Sequence, residues 1–247
     1  RFSGGANNTN SNYNGVKVFR YAGSSNWVQQ GTIQHPSGRT LGGDVAINGD
    51  GTMIATFIGA NQNSNGAACI FQYSSGVWTQ KGSDLILEYY DNVNQRWDKS
   101  GEGESIDISS TGNRVAIGEP FYGSNITPVL GNPGGFRRGR IKVVEWDFIT
   151  TNNWVLIGSM RGNGSDDYFG YDVSMDASGN RVIGSSENSR ATTLPGYAKV
   201  FEYQGNSNWV QKGNDINGTS ISHFGISVGL SDLGDKVVIG DQYKIYN

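Results

Sequence analysis

The 247-residue chain carries a net charge of −3, which gives it no electrostatic reason to bind nucleic acid or an anionic membrane surface. Its 36% hydrophobic and 11% aromatic residues argue against disorder, and 37 glycines against 5 prolines are the punctuation of many short strands joined by turns. A single cysteine, Cys69, excludes an internal disulfide and a thiolate metal cage, and no apolar run is long enough to cross a bilayer as a helix.

The sequence opens abruptly at Arg1-Phe2-Ser3, with no secretory leader visible, so a leader is expected to have been removed or to lie outside it. Phe2 to Ala6 reads as the tail of a strand. Val16-Lys-Val-Phe-Arg-Tyr21 and Asn26-Trp-Val-Gln-Gln-Gly31 then form two β-rich phrases, here labelled c and d. A hairpin phrase follows, Asp44-Val-Ala-Ile-Asn-Gly-Asp-Gly-Thr-Met-Ile-Ala-Thr-Phe-Ile-Gly59. It has alternating apolar residues, a glycine-bearing turn and a second β-branched run, and it predicts strands a and b.

All three phrases recur. Strands a and b return at Ser105–Gly118, Asp172–Gly184 and Ile226–Gly240. Strand c returns at Ala68–Tyr73, Ile141–Trp146 and Ala198–Tyr203, with a shortened copy at Tyr243–Tyr246. Strand d returns at Val77–Gly82, Asn153–Gly158 and Asn208–Gly213. Cys69, inside a c phrase between Ala68 and Ile70, reads as a small buried hydrophobe.

A strand-only repeat of about 60 residues with no competing helical period predicts an all-β repeat architecture. A four-stranded antiparallel blade cannot bury both faces alone. Packing blades radially hides those faces, so the pattern predicts a β-propeller of four-stranded antiparallel blades. The units fall at about 1–40, 41–103, 104–168, 169–223 and 224–247 of one domain. Trp27, Trp78, Trp154 and Trp209 recur at one place in d and are expected as wedges between blades, each contributing about 2–3 kcal/mol by burial. Sugar-stacking platforms are the alternative reading of the same four indoles.

The repeats resemble the FG-GAP family of β-propellers, the type found in integrin α-chain heads. The resemblance is carried by Phe169-Gly170 and Phe224-Gly225 just before strand a, by the variant Leu41-Gly42, and by Ile117-Gly118-Glu119-Pro120 after strand b. It implies an extracellular or surface-exposed protein and a seven-bladed ring of which about four repeats are visible here. A compact ring of four to five blades is the alternative. Members of this family often bind calcium in the a–b turn, and Asn48-Gly49-Asp50-Gly51 keeps the middle of that pattern. Ala46 and Ile54 stand where its first and last carboxylates belong. Calcium needs six to eight oxygens, so Asn48 and Asp50 read as turn formers and no cofactor is expected.

Every long insertion falls in the d–a or b–c connections, a pattern that puts binding on that rim. Its candidate residues are Tyr89, Tyr90, Trp97, Phe121, Tyr122 and the basic cluster Arg137, Arg138 and Arg140, suited to a sulfated or carboxylated glycan or to a protein. Sequons at Asn7, Asn125, Asn163 and Asn217 lie on the same class of connection and point to a glycoprotein. Paired acidic residues such as Asp166-Asp167 and Glu102/Glu104 admit acid–base chemistry, while Asp84 and Asp215 recur at one place and read as turn residues. His35 and His223 lie in no metal spacing. The expected role is therefore a non-enzymatic binding or adhesion module. The alternatives are a self-assembling structural subunit of a surface appendage or coat, packed through blade sides, and a carbohydrate-active propeller enzyme.

Overall fold

The β-branched runs and glycine-bearing turns become strands throughout, and no helix occurs among the described residues. A computed structural model of the chain describes residues 15–59, 66–87, 89–91, 96–98, 105–123, 138–164, 167–187, 195–219 and 223–242.

The strands form antiparallel sheets that follow chain order. The first pairs β1 (Val16–Gly23) with β2 (Asn26–Ile33). The second runs β3 (Leu41–Ile47), β4 (Met53–Ile58), β5 (Ala67–Ser74) and β6 (Val77–Gln80), with β7 (Leu85–Ile86) against the start of β5. A separate hairpin pairs β8 (Tyr89–Asp91) with β9 (Arg96–Asp98). The third sheet runs β10 (Ile106–Ile108), β11 (Arg114–Glu119), β12 (Arg140–Asp147) and β13 (Asn153–Arg161). The fourth runs β14 (Val173–Met175), β15 (Arg181–Ser186), β16 (Tyr197–Tyr203) and β17 (Trp209–Gln211), with β18 (Ile216–Asn217) against the start of β16. A last pair joins β19 (Val228–Leu230) to β20 (Val237–Ile239). The predicted order a-b-c-d is the order found in the second, third and fourth sheets.

Two details depart from the sequence pattern. β7 and β18 are continuations of the fourth strand beyond a break, not new elements. The break falls at Gly82 and Gly213, whose φ of 78° and 77° turns the backbone out of the ladder, whereas β13 runs unbroken through Gly158. The hairpin β8–β9 lies inside what reads from sequence as one long connection.

The core lies between sheets. Met53, Ala55 and Phe57 of β4 pack with Ile106 and Ile108 of β10, and Trp146 and Trp154 close that cluster. Ala116 of β11 packs with Val173 and Met175 of β14, and Ile183 of β15 with Val228 and Leu230 of β19. Each aliphatic residue buried this way contributes about 1.5–3 kcal/mol. Cys69 is fully buried among such residues, and burial pushes its thiol well above the usual range.

The four indoles do not share one fate. Trp154 is 6% exposed and donates Nε1–H to the Lys81 carbonyl of the preceding sheet, 2.8 Å away. Trp209 is half-buried and makes the same bond to Ile157 at 3.0 Å. Trp78 is half-buried with Nε1 finding no acceptor among the described residues. Trp27 is 67% exposed, which corrects its expected role as a wedge: no described sheet lies in front of β1 and β2 to receive it.

Candidate functional site

In a sheet that meanders antiparallel, the a–b and c–d turns share one rim and the b–c and d–a connections share the other. The a–b rim is uniform. Asn48, Ser109, Asp176 and Ser231 occupy the same turn position, and each accepts the backbone N–H of the residue five further on: Met53, Arg114, Arg181 and Lys236. Successive turns are joined by backbone bonds from Gly49 N–H to Ser110 O, Ser110 N–H to Ala177 O, and Ala177 N–H to Asp232 O. Arg114 and Arg181 each bind a glutamate on their own third strand, Glu145 and Glu202. Each also donates to the next turn, at Gly179 O and Leu233 O respectively.

This rim does not fit calcium. Asn48 is buried with its Oδ1 accepting from Thr52 N–H and Met53 N–H. Asp50 turns its carboxylate onto the Thr52 hydroxyl and N–H, which hold its pKa below the usual value. No group of three or more His, Cys, Asp or Glu side chains is placed to hold a metal among the described residues.

Three carboxylates with no role assigned from the sequence zip the first strands together. Asp44 accepts from Ile106 N–H at 2.9 Å, Asp107 from Met175 N–H at 2.7 Å, and Asp172 from Val228 N–H at 2.6 Å. Each bond runs from one sheet to the next. Burial raises the Asp107 pKa, against the bonds it accepts from Met175 and Ile108. The signal was present, since Asp44 and Asp172 head the same phrase, but only neighbouring sheets reveal the acceptor's partner.

The opposite rim is varied. Glu119 is buried in an ion pair with Arg140 Nε and lies 3.1 Å from Lys142 Nζ. Arg140 therefore differs from its expected place on a binding loop: it opens β12, is buried, and is neutralised by Glu119. The Arg140 guanidinium also lies 3.5 Å from the Tyr122 ring centre. Arg161 is exposed, stands directly opposite Arg140 across the strand pair, and donates to the Tyr122 hydroxyl at 3.4 Å. Phe121 stacks edge-on to Tyr168 at 5.9 Å, so it is a packing residue of the rim. Arg138 donates to the Asn163 carbonyl at 3.2 Å.

Beside this cluster, Asn163 donates Nδ2–H to Asp215 and accepts from Lys199, so both ends of its amide are engaged. Burial works to raise the Asp215 pKa, but bonds from Asn163 and Gln211 and the Lys199 charge outweigh it and lower the pKa. Asp215 accepts from Gln211 as Asp84 accepts from Gln80, the repeated turn contact expected of that position. Asp84 also pairs with the buried His35 at 3.1 Å. His223 lies 3.3 Å from Glu187. Asp167 is buried and accepts from Gly164 N–H and the Tyr197 hydroxyl, whose pKa is driven up by burial and then by that carboxylate. Asn217 lies exposed in β18. Tyr89 and Tyr90 lie in β8 and Trp97 in β9, with Tyr90 opposite Trp97. Arg137, Asn7, Asn125, Asp166, Glu102 and Glu104 lie outside the described residues. Arg161, for which the sequence offers no local signal, ends β13 and is an exposed cation of this rim.

No protein-family model matches the chain, and no curated protein matches it. Among solved structures it is similar to a protein of Bacteroides fragilis assigned as a 6-phosphogluconolactonase. The two share 12% identity with a TM-score of 0.46, over 87% of this chain and 47% of that one. The chain thus spans about half the length of that structure.

Proposed function

We propose that the chain is a β-propeller, extracellular or surface-exposed and non-enzymatic, acting as a binding or adhesion module for a protein or glycan. The first strands β3, β10, β14 and β19 lie side by side in that order, which supports blades set around an axis. The FG-GAP resemblance belongs to the same proposal: Phe169 is buried, and Gly170, with φ of 88°, lets the chain pass close to Arg140 O and Glu119 N.

The observation that carries the functional reading is the contrast between rims. The a–b rim repeats one side-chain-to-backbone bond in all four described turns and joins them by backbone bonds. The other rim presents Arg161 and the Tyr122 hydroxyl at the surface, with Arg138 close by, a donor set suited to a carboxylate or sulfate group. The test is binding of the native chain and of an Arg138→Ala/Arg161→Ala variant to an array holding neutral, uronic and sulfated glycans. Selective binding of acidic glycans by the native chain, weakened about tenfold or more in the variant, is the expected result. Binding that survives both substitutions, or an array with no acidic hit, removes this reading.

A second reading, a self-assembling subunit, is favoured by one observation. Large apolar residues are exposed on the first and last sheets, Trp27 and Val238 among them.

A further inference from the structure

One cluster at the junction of the third and fourth sheets brings an amine, an amide and a carboxylate together. Lys199 of β16 is buried, its side chain 9% exposed, and its Nζ donates to Asn163 Oδ1 at 2.5 Å. Asn163 follows β13 and donates Nδ2–H to Asp215 Oδ2 at 2.7 Å. Asp215 Oδ1 lies 3.5 Å from Lys199 Nζ, so one carboxylate reaches both nitrogens. The neighbours dictate how the amide is turned. A carboxylate only accepts and an ammonium only donates, so the amide nitrogen faces Asp215 and its oxygen faces Lys199. Cγ stands one C=O bond beyond Oδ1, which puts Nζ no more than about 3.7 Å from that carbon, close to attack distance.

Asn163 is held at every polar atom. Besides the two amide bonds, its N–H donates to the Tyr197 hydroxyl at 3.0 Å and its carbonyl accepts from Arg138 at 3.2 Å. The counterpart positions in other sheets hold different groups. Asp84 accepts from Gln80 as Asp215 does from Gln211, but its partner from the preceding connection is His35, and Cys69 stands in the third strand where Lys199 does. Lys142 has that place in β12, and its Nζ donates to Ile86 O and pairs with Glu119.

We propose that Lys199 and Asn163 join in an isopeptide bond, a covalent tie between the third and fourth sheets with Asp215 as its proton relay. Nζ gives a proton to the carboxylate, and the freed electron pair forms a bond to Cγ. The Cγ–Nδ2 bond then breaks. Two protons in all pass from Nζ by way of Asp215 to the departing nitrogen, which leaves as ammonium, and the carboxylate returns to its starting state. Atoms and charge balance with no oxidant or further reactant. Burial of the site keeps water from taking the place of Nζ at Cγ.

Lys199 lies 36 residues beyond Asn163, so the bond constrains the unfolded chain as other cross-links between distant residues do. It also leaves Asn163 no amide nitrogen of its own to carry a glycan. The cross-link stands without the glycan-binding reading.

The experiment is mass spectrometry of the native chain, made in a host that adds no glycans, both intact and after proteolysis. Lys199→Arg and Asp215→Asn are measured beside it. The expected native mass is one ammonia below that of the sequence, with the Lys199 peptide joined to the Asn163 peptide. Both variants should keep their full mass. Lys199→Arg retains the positive charge beside Asp215, and circular dichroism checks that it folds. A native digest in which Lys199 and Asn163 emerge on separate, unmodified peptides overturns the proposal. So does ammonia lost within the Asn163-Gly164 peptide alone, the mark of ring closure by the glycine nitrogen. Lys199 joined instead to Gln211, whose Oε1 lies 3.5 Å from Nζ, overturns it equally. Cross-linking undiminished in Asp215→Asn overturns the relay.

Discussion

The third sheet and the first are built from the same phrases and end up differently. In both, the aromatic of the third strand meets the tryptophan of the fourth: Tyr21 and Trp27 at 5.5 Å between ring centres, Trp146 and Trp154 at 5.4 Å. The hairpin contact is therefore local and survives anywhere. Burial is not local, since Trp154 is enclosed by the second sheet and donates to Lys81, while Trp27 faces open space. A repeat phrase specifies its own pairing, and its neighbour specifies what that pairing is worth.

The largest effect should come from the indoles. Trp154→Ala leaves a cavity between two sheets and an unpaired Lys81 carbonyl, and should cost about 3–5 kcal/mol in denaturant unfolding. Trp27→Ala should cost the single chain less than about 1 kcal/mol. Equal costs would break the comparison.

The arginine clamp sharpens it at an intermediate scale. Arg114 holds Glu145 in its own sheet and Gly179 O in the next, and Arg114→Ala should cost about 2 kcal/mol. Lys236 fills the same place in the last sheet and, among the described residues, pairs with the adjacent Asp235, with both side chains largely exposed, so Lys236→Ala should stay within about 0.5 kcal/mol. The urea midpoints of the two variants measure that difference.

The smallest effect belongs to a turn that owes nothing to a neighbour. Asp147 accepts from the backbone N–H groups of Thr150, Ile149 and Thr151, and these hold its pKa at about 2 against an ordinary 3.8. A depressed carboxyl adds stability above the unfolded value and loses it as pH falls through the folded one. The midpoint of Asp147→Ala should thus lie below the native one at neutral pH, and the gap should close between about pH 4 and pH 2. A gap constant across that window would refute the assignment.

Strands a to d were legible because alternation, glycine turns and β-branched runs act within a few residues. Asn48 and Asp50 were legible as turn formers for the same reason: their partners, Thr52 and Met53, lie within the same turn. Arg140 was misread as a loop cation because Glu119, its neutralising partner, lies across a long connection. Arg161 carries no local sign of its place, because it lies past the Asn153–Gly158 phrase and its partner Tyr122 is 39 residues away.

By itself the sequence determined an all-β chain, the order of strands within each sheet, and the short turns, all interactions among near neighbours whose period is printed in the residues. Only the tertiary structure decided which tryptophans are covered, that Asp44, Asp107 and Asp172 bond the next sheet, and that Arg140 is buried against Glu119 while Arg161 is exposed. Most of those outcomes depend on groups roughly one repeat apart. What each of them meets is set by the sheet alongside, and no local pattern encodes whether that sheet is there.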